Sequence, residues 1–283
     1  MKKILVTGAN GQLAQCIRAA TPNYPNLEMS YSDKDTLNLE NEEAVRTFFE
    51  FNNFDVCINT AAYTNVEKAE SERDKAFEVN SAAAARLAKY CAENNTLLIH
   101  LSTDYVFDGK KRSPYVETDG PNPLNVYGES KLAGEKEIAA VCPRHFIFRT
   151  SWLYSEYGHN FLKTIQKHAK AGNPLTITTE QTGTPTNAND LAQLLLKCAD
   201  WNSRHYGIYH FSNAGKATWY DFAKAILEET DQIKKTKLAK TEHYRTFAAR
   251  PQYSVLDTKK VRSEFNIEIK HWRDSLKTIL TND

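Results

Sequence analysis

Tyr127 and Lys131 stand four residues apart in "VYGESKLAGE", residues 126 to 135, where Glu, Leu, Ala and Lys otherwise favour helix. Four residues turn a helix by roughly 400°, so the two side chains share one face, about 6 Å apart along the axis. An ammonium there acts on a phenol. It favours the phenolate and lowers a pKa that is about 10 in the free side chain, which suits the phenol to general acid–base work near neutrality. An exposed amphipathic pair has the same spacing, so the rest of the chain must decide between the two.

Other residues carry chemistry of a related kind. In "VTGANGQLA", Gly8 and Gly11 fall between a strand and a helix, with Asn10, Gln12 and Leu13 beside them and Ala14 where a third glycine often sits. Gly8 suits a tight turn and Gly11 a close approach of backbone to a pyrophosphate, which the helix N-terminus attracts with free N–H groups. Tyr31 ends the second strand, and Asp33 and Asp35 follow with Lys34 between them, which leaves the choice between NAD and NADP open. "INTAAYT", with Ala61, Ala62 and Tyr63, either lets a flat ring lie against backbone or is a plain strand exit. Ser102, Thr103 and Asp104 in "HLSTDYVFDG" either hydrogen-bond a substrate carbonyl or form a local turn or cap. Trp152 offers a flat apolar surface with one N–H, or fills a core. Arg250 in "AARP" offers a planar fork to a diphosphate, or is a solvated arginine. His159, His205, His210 and His243 lack metal-ligand spacing, and no metal is assigned.

Elements must hold these residues together, and the pattern of the chain supplies them. Apolar, β-branched runs ("KILVT", "LEMSY", "DVCIN", "LLIHL", "HFIFRT") alternate with helical patterns at 11–20, 41–52, 70–95 and 124–141. Such alternation predicts an α/β fold: a doubly wound parallel sheet with right-handed helical crossovers. After Arg149 a helix near 160–171, the strand "PLTIT", the helix "NDLAQLLLKCAD", the strand "GIYHF", a helix near 218–229, short pieces and a last helix near 272–280 are predicted. No linker rich in Pro, Gly or Ser separates the halves, which predicts a smaller second domain woven into the first. The expected division is 1–150 with part of 174–211 for the dinucleotide-binding domain, and the remaining parts of 151–283 for the substrate domain.

With 36 Lys and Arg against 35 Asp and Glu, the net charge is +1, and there is no charged block to serve as a tail for nucleic acid or membrane. Five widely spaced cysteines form no Cys-x-x-Cys pair and read as reduced, buried residues. No apolar run approaches the ~20 residues of a membrane span. The expectation is a cytoplasmic protein with a small-molecule partner, and neither a nucleic acid nor a membrane.

In order along the chain, "GANGQLA", "NTAAYTNVEKAE", "LSTDYVFDG", "PLNVYGESKLAGE", "FRTSWLY" and "ARP" resemble the dTDP-4-dehydrorhamnose reductase family of the extended short-chain dehydrogenase/reductase superfamily. The resemblance implies a Rossmann-type cofactor domain, a smaller sugar-nucleotide domain, and reduction of the C4 ketone of dTDP-4-dehydro-L-rhamnose by NADPH or NADH. It places Tyr127, Lys131 and Thr103 on the catalytic positions, with Tyr127 as proton donor. Gly8, Asn10, Gly11, Gln12 and Leu13 then form the pyrophosphate turn. Ala61, Ala62, Tyr63, Tyr127 and Lys131 contact the cofactor, and Thr103, Asp104, Trp152 and Arg250 contact the substrate. Asn38 and Leu39 stand where the family usually has Asp and an apolar residue near the adenine, and Asn38 can still accept from the amino group. Some relatives are metal-bridged dimers using an acidic residue early in the first helix; Ala14, Gln15 and Cys16 stand there instead, so a homodimer stays open and the metal is not carried over. Two alternatives remain: reduction of another nucleotide-linked 4-keto sugar, or a non-catalytic regulatory subunit that binds dinucleotide.

Overall fold

Each apolar run of the first half becomes a strand and each periodic segment a helix. In the computed structural model, which describes residues 1–201, 203–243 and 245–281, β1 (Lys2–Thr7) leads into α1 (Gln12–Ala20), β2 (Leu27–Ser32), α2 (Glu42–Phe51) and β3 (Val56–Asn59). Next come α3 (Val66–Ala69), α4 (Arg73–Phe77), α5 (Ala83–Glu93), β4 (Leu97–Thr103), α6 (Val126–Val141) and β5 (His145–Thr150). The second half runs β6 (Leu153–Tyr154), α7 (Phe161–Lys170), β7 (Leu175–Thr178), β8 (Thr182–Gly183), β9 (Thr186–Asn187) and α8 (Ala188–Asp200). It ends with β10 (Gly207–His210), β11 (Ala217–Thr218), α9 (Trp219–Glu229), β12 (Leu238–Thr241), α10 (Lys259–Phe265) and α11 (Trp272–Thr281).

Six of these strands form a parallel sheet in the order β10-β5-β4-β3-β1-β2. The chain moves one way from β1 to β2 and the other way to β3, so a crevice opens at their carboxyl ends, where such sheets bind ligands. Both faces are covered, as parallel sheets require. Ile4, Val6, Ile58 and Ile99 point to the face covered by α1 and α8, with Val261 and Phe265 of α10 in the same cluster. Leu5, Cys57, Leu98 and Ile147 point to the face covered by α2, α5 and α6. A separate cluster unites α7, α9 and α11 with Tyr154, Leu175 and Ala217, and β12 pairs with β7 beside it. The chain returns from that body to the sheet through α8 and β10, so the two bodies are interleaved in sequence.

Three expectations need correction. The strand "LEMSY" extends to Ser32. The helix expected at 70–95 starts at Arg73 and contains a π turn at Glu78–Ala82. Within that turn lies Asn80, whose buried amide accepts from Tyr63 N at 2.9 Å and donates to Tyr63 O and Ser130 Oγ, both at 3.0 Å. One extra residue in the turn aims this side chain inward, as π turns near functional sites often do. The "short pieces" after 229 include β12 and α10, neither of which was anticipated. Among the described residues no helix is long and apolar enough to cross a membrane.

Candidate active site

The glycine turn stands at the sheet's switch point. Gly8 has φ +71°, and a Cβ there would lie 2.8 Å from Ala61 N, so both the backbone conformation and the close approach of β3 require glycine. Gly11 begins α1 without a side-chain cap, which leaves first-turn N–H groups and the positive end of the helix dipole facing the crevice. A groove of about 450 Å³ follows the turn and is lined by Gly8, Asn10, Gly11, Asn38, Leu39, Ala61, Ala62 and Tyr63, all expected at the cofactor. Asn38 Oδ1 accepts the N–H of Glu40 at 3.1 Å, a local bond that the sequence reading did not foresee. At the end of β2, backbone N–H bonds from Thr36 hold the Asp33 carboxyl below its usual range, and Asn10 Nδ2 reaches it at 3.3 Å. Lys34 pairs with Glu40 at 2.7 Å.

Beyond the turn the groove opens into a second cavity of about 600 Å³ that shares Asn10, Gly11, Thr60 and Ala62 with the first. Thr103, Asp104, Tyr127, Lys131, Trp152, Gln12 and Leu13 line it, although Leu13 otherwise packs in the core. Tyr127 and Lys131 arrive on α6, which Asn125 caps by accepting from Gly128 N at 2.8 Å. Gly128 is required for a different reason: a Cβ there would stand 2.3 Å from Tyr105 O, so only glycine lets the helix reach the turn after β4.

The electrostatics differ from the sequence expectation. Burial pushes the Tyr127 phenol up to about 12, a hydrogen bond with Thr103 pulls it down, and Asp104 raises it; no lowering by Lys131 appears among these influences. Burial also pushes Lys131 down to about 8, against the nearby Glu135. Lys131 Nζ donates to Leu101 O at 2.6 Å and lies 3.3 Å from His100 Nε2. Both shifts run toward the neutral form, because desolvation acts against either charge. Asp104 is buried, accepts from Thr103 Oγ1 at 3.2 Å, and leaves Oδ2 without a hydrogen bond. Burial raises its pKa to about 7.

Trp152 has φ +47°, a strained conformation for a residue with a Cβ. Its ring stacks on Trp219 at 3.6 Å and 8°, and both line the larger cavity. Trp219 was not foreseen: it is the first residue of α9 and belongs to no motif. Arg250 lies elsewhere, in a neighbouring groove with Lys110, Lys111 and Lys216, and pairs with Glu67 at 2.7 Å. Behind α6, Glu135 receives Arg149 Nε at 2.9 Å, Arg149 Nη2 at 2.6 Å and Ser102 Oγ at 2.5 Å, a buried cluster that also went unread.

The family model described as the RmlD substrate binding domain matches residues 1–283. The chain belongs to this family. A dTDP-4-dehydrorhamnose reductase of Aggregatibacter actinomycetemcomitans is 37% identical over 99% of this chain and 98% of its own. The spore coat polysaccharide biosynthesis protein SpsK of Bacillus subtilis (strain 168) is 37% identical over 99% of this chain and 97% of its own. The crystal structure of a dTDP-4-dehydrorhamnose reductase from Bacillus anthracis str. Ames, in complex with NADP, matches with a TM-score of 0.95 at 32% identity, covering 100% of this chain and 99% of that one. For this RmlD-type chain, the site strings and the fold thus point to one family.

Proposed function

We propose that the chain is an NAD(P)H-dependent oxidoreductase that reduces the C4 ketone of dTDP-4-dehydro-L-rhamnose to dTDP-L-rhamnose. The observation that carries this reading is the convergence of Thr103, Tyr127, Lys131 and Trp152 on one cavity that continues into the glycine-turn groove. The full-length similarity to reductases of that name supports the choice of sugar. The residues fit a dinucleotide: Gly8 and Gly11 keep side chains out of the turn, the uncapped N-terminus of α1 offers N–H donors to a pyrophosphate, and Ala61 and Ala62 leave room for a flat ring.

When bound, the reduced dinucleotide supplies hydride. Tyr127 donates its proton to the ketone oxygen as charge develops there, and its high pKa keeps that proton in place throughout the neutral range. Thr103 hydrogen-bonds the same oxygen. Lys131, one turn along α6, stabilises the phenolate when it carries its own proton. Trp152, backed by Trp219, gives the deoxysugar a flat wall, and Asp104 orients its hydroxyls. For Arg250 we retain a role at the diphosphate, entered from the basic groove that it lines. The division that we propose assigns 1–150 and the 188–211 part of 174–211 to the cofactor half and most of the remainder to the sugar half. Five buried free cysteines support a cytoplasmic setting.

The test follows nicotinamide absorbance while the purified chain meets dTDP-4-dehydrorhamnose with NADH or NADPH. Turnover with both cofactors is expected, and a folded chain inert with either would reject the reading. Parallel assays with other nucleotide-linked 4-keto sugars decide the substrate.

A further inference from the structure

Behind Lys131 lie three polar side chains to which the motif strings that contain them assign no role. Thr7, Asn59 and His100 are only 2%, 2% and 1% exposed. Parallel pairing sets them in a row across the sheet, Thr7 opposite Asn59 and Asn59 opposite His100.

Hydrogen-bond direction can be followed along this row. Asn59 Oδ1 accepts from Thr7 Oγ1 at 2.7 Å and from the backbone N–H of Ala61 at 3.1 Å. A backbone N–H only donates, so that atom is the amide oxygen, and the amide nitrogen is the atom facing His100 Nδ1 at 3.0 Å. The amide nitrogen also only donates, so Nδ1 must accept. Burial keeps the imidazole neutral, and its one proton therefore sits on Nε2. That N–H faces Lys131 Nζ at 3.3 Å, while Nζ itself donates to Leu101 O at 2.6 Å.

We propose that Thr7, Asn59 and His100 are positioning residues that hold Lys131 Nζ as a hydrogen-bond acceptor, the neutral amine, and so make the charge of this lysine conditional. An ammonium at Lys131 sets N–H against N–H at His100. Turning the imidazole to its other tautomer relieves that contact and creates the same conflict at Asn59. The lowered titration of Lys131 agrees with this wiring and has burial as its main cause. The titratable groups around it act in both directions. Glu135, one turn along α6, favours the ammonium, but its carboxylate is bonded to Arg149 of β5. On α6, Tyr127 stays neutral; from the turn after β4, Asp104 acts on that phenol, and His145 of β5 opposes charge on His100. A lysine set this way exchanges its proton near neutrality instead of serving as a permanent cation beside the phenol. This consequence rests on the reductase reading of the site; the protonation pattern itself does not.

Long-range ¹⁵N–¹H NMR of the full chain at a pH above the lowered Lys131 midpoint, where the amine is neutral, reads the tautomer directly, with the His100 signals identified by their loss in His100→Gln. The expected result is an unprotonated Nδ1 and a protonated Nε2; a protonated Nδ1 overturns the proposal. The ¹³Cε shift of Lys131 gives its titration midpoint. In Asn59→Leu the amide donor to Nδ1 is removed with no charge added, so the imidazole proton is free to move to Nδ1 and Nε2 to accept from the ammonium, and the midpoint should rise by about one pH unit or more. An unmoved midpoint in the folded variant also overturns the proposal, because a merely structural row would lower stability and leave the midpoint alone. If Asn59→Leu does not fold, the wild-type tautomer still decides. Neither readout uses turnover, so an inactive chain would count against the proposed reaction and not against this row.

Discussion

At Tyr127, burial does the opposite of what the spacing to Lys131 implies: the phenol moves up to about 12 and the lysine down to about 8. The acid form is populated at neutral pH, as it is for a free phenol, but the raised pKa makes the proton harder to give up until charge develops on the ketone oxygen. Tyr127→Phe should cut turnover by on the order of 10²–10⁴ while dinucleotide affinity and melting temperature change little; a fully active variant would remove the proton donor from the mechanism. Asp104 gives a second prediction. Its folded pKa, about 7, lies above the free value of 3.8, so the folded state binds the extra proton between those values. Stability contributed by the protonated carboxyl is present below about 4 and is lost as pH rises through about 7. Relative to Asp104→Asn, the wild-type chain should lose on the order of 3–4 kcal/mol of stability between pH 4 and pH 8, because each pH unit between the two pKa values is worth about 1.4 kcal/mol. Denaturant curves at each pH measure the difference, and parallel stability profiles would refute the raised pKa. Tyr127, Lys131 and Thr103 were legible because they sit in contiguous strings. His100, Asn59 and Trp219 were not, because each acts through a neighbour distant in sequence. The one available hint was polar His100 inside an otherwise apolar strand.

The same contrast recurs among the elements. Strands β1 to β5 were readable because a sheet buried on both faces demands continuous apolar runs, whichever residues fill them. The π turn was not, since Glu78–Ala82 has the composition of ordinary helix and only the distant partners of Asn80 call for the extra residue. β12, "LAKT", lacked a signal because it is largely exposed and pairs with β7 alone. The glycine turn was legible as a motif, but the structure separates its two glycines. Gly8 is fixed by a positive φ and by the Ala61 backbone, whereas Gly11 has the ordinary φ of −72° and meets only Gly8 O, at 3.1 Å. Gly8→Val should therefore destabilise the fold itself. Gly11→Val should leave melting within a few degrees of wild type and weaken dinucleotide binding at least tenfold, because its side chain intrudes where a phosphate would approach. Calorimetric titration with NADPH and NADH alongside thermal melts separates the two, and unchanged affinity in Gly11→Val would dissociate the turn from the cofactor.

Across the whole molecule, the interleaved chain path was legible only in outline, because the second body is built from short elements whose partners lie far apart in sequence. Its contact with the first body is specific, however. Gln12, at the start of α1, donates from Nε2 to Leu153 O at 3.4 Å, and its Oε1 accepts from Ser155 Oγ at 3.2 Å and Asn160 Nδ2 at 3.3 Å. The same residue lines the large cavity with Trp152 and His159, so one side chain ties the dinucleotide turn to the loop bordering the sugar region. A ligand on either side that stiffens this tie lowers the ordering cost for the other, and the resulting coupling must be reciprocal. Gln12→Ala should leave each binary affinity within a few-fold of wild type. It should also reduce the mutual enhancement between NADP and dTDP-rhamnose, a coupling that is typically about 1–3 kcal/mol where two sites communicate. Titrating each ligand with and without the other present, in both proteins, gives the coupling directly. Equal coupling in the two proteins would show that the halves communicate through some other contact, whereas loss of both binary affinities would mean that Gln12 serves the pyrophosphate turn itself.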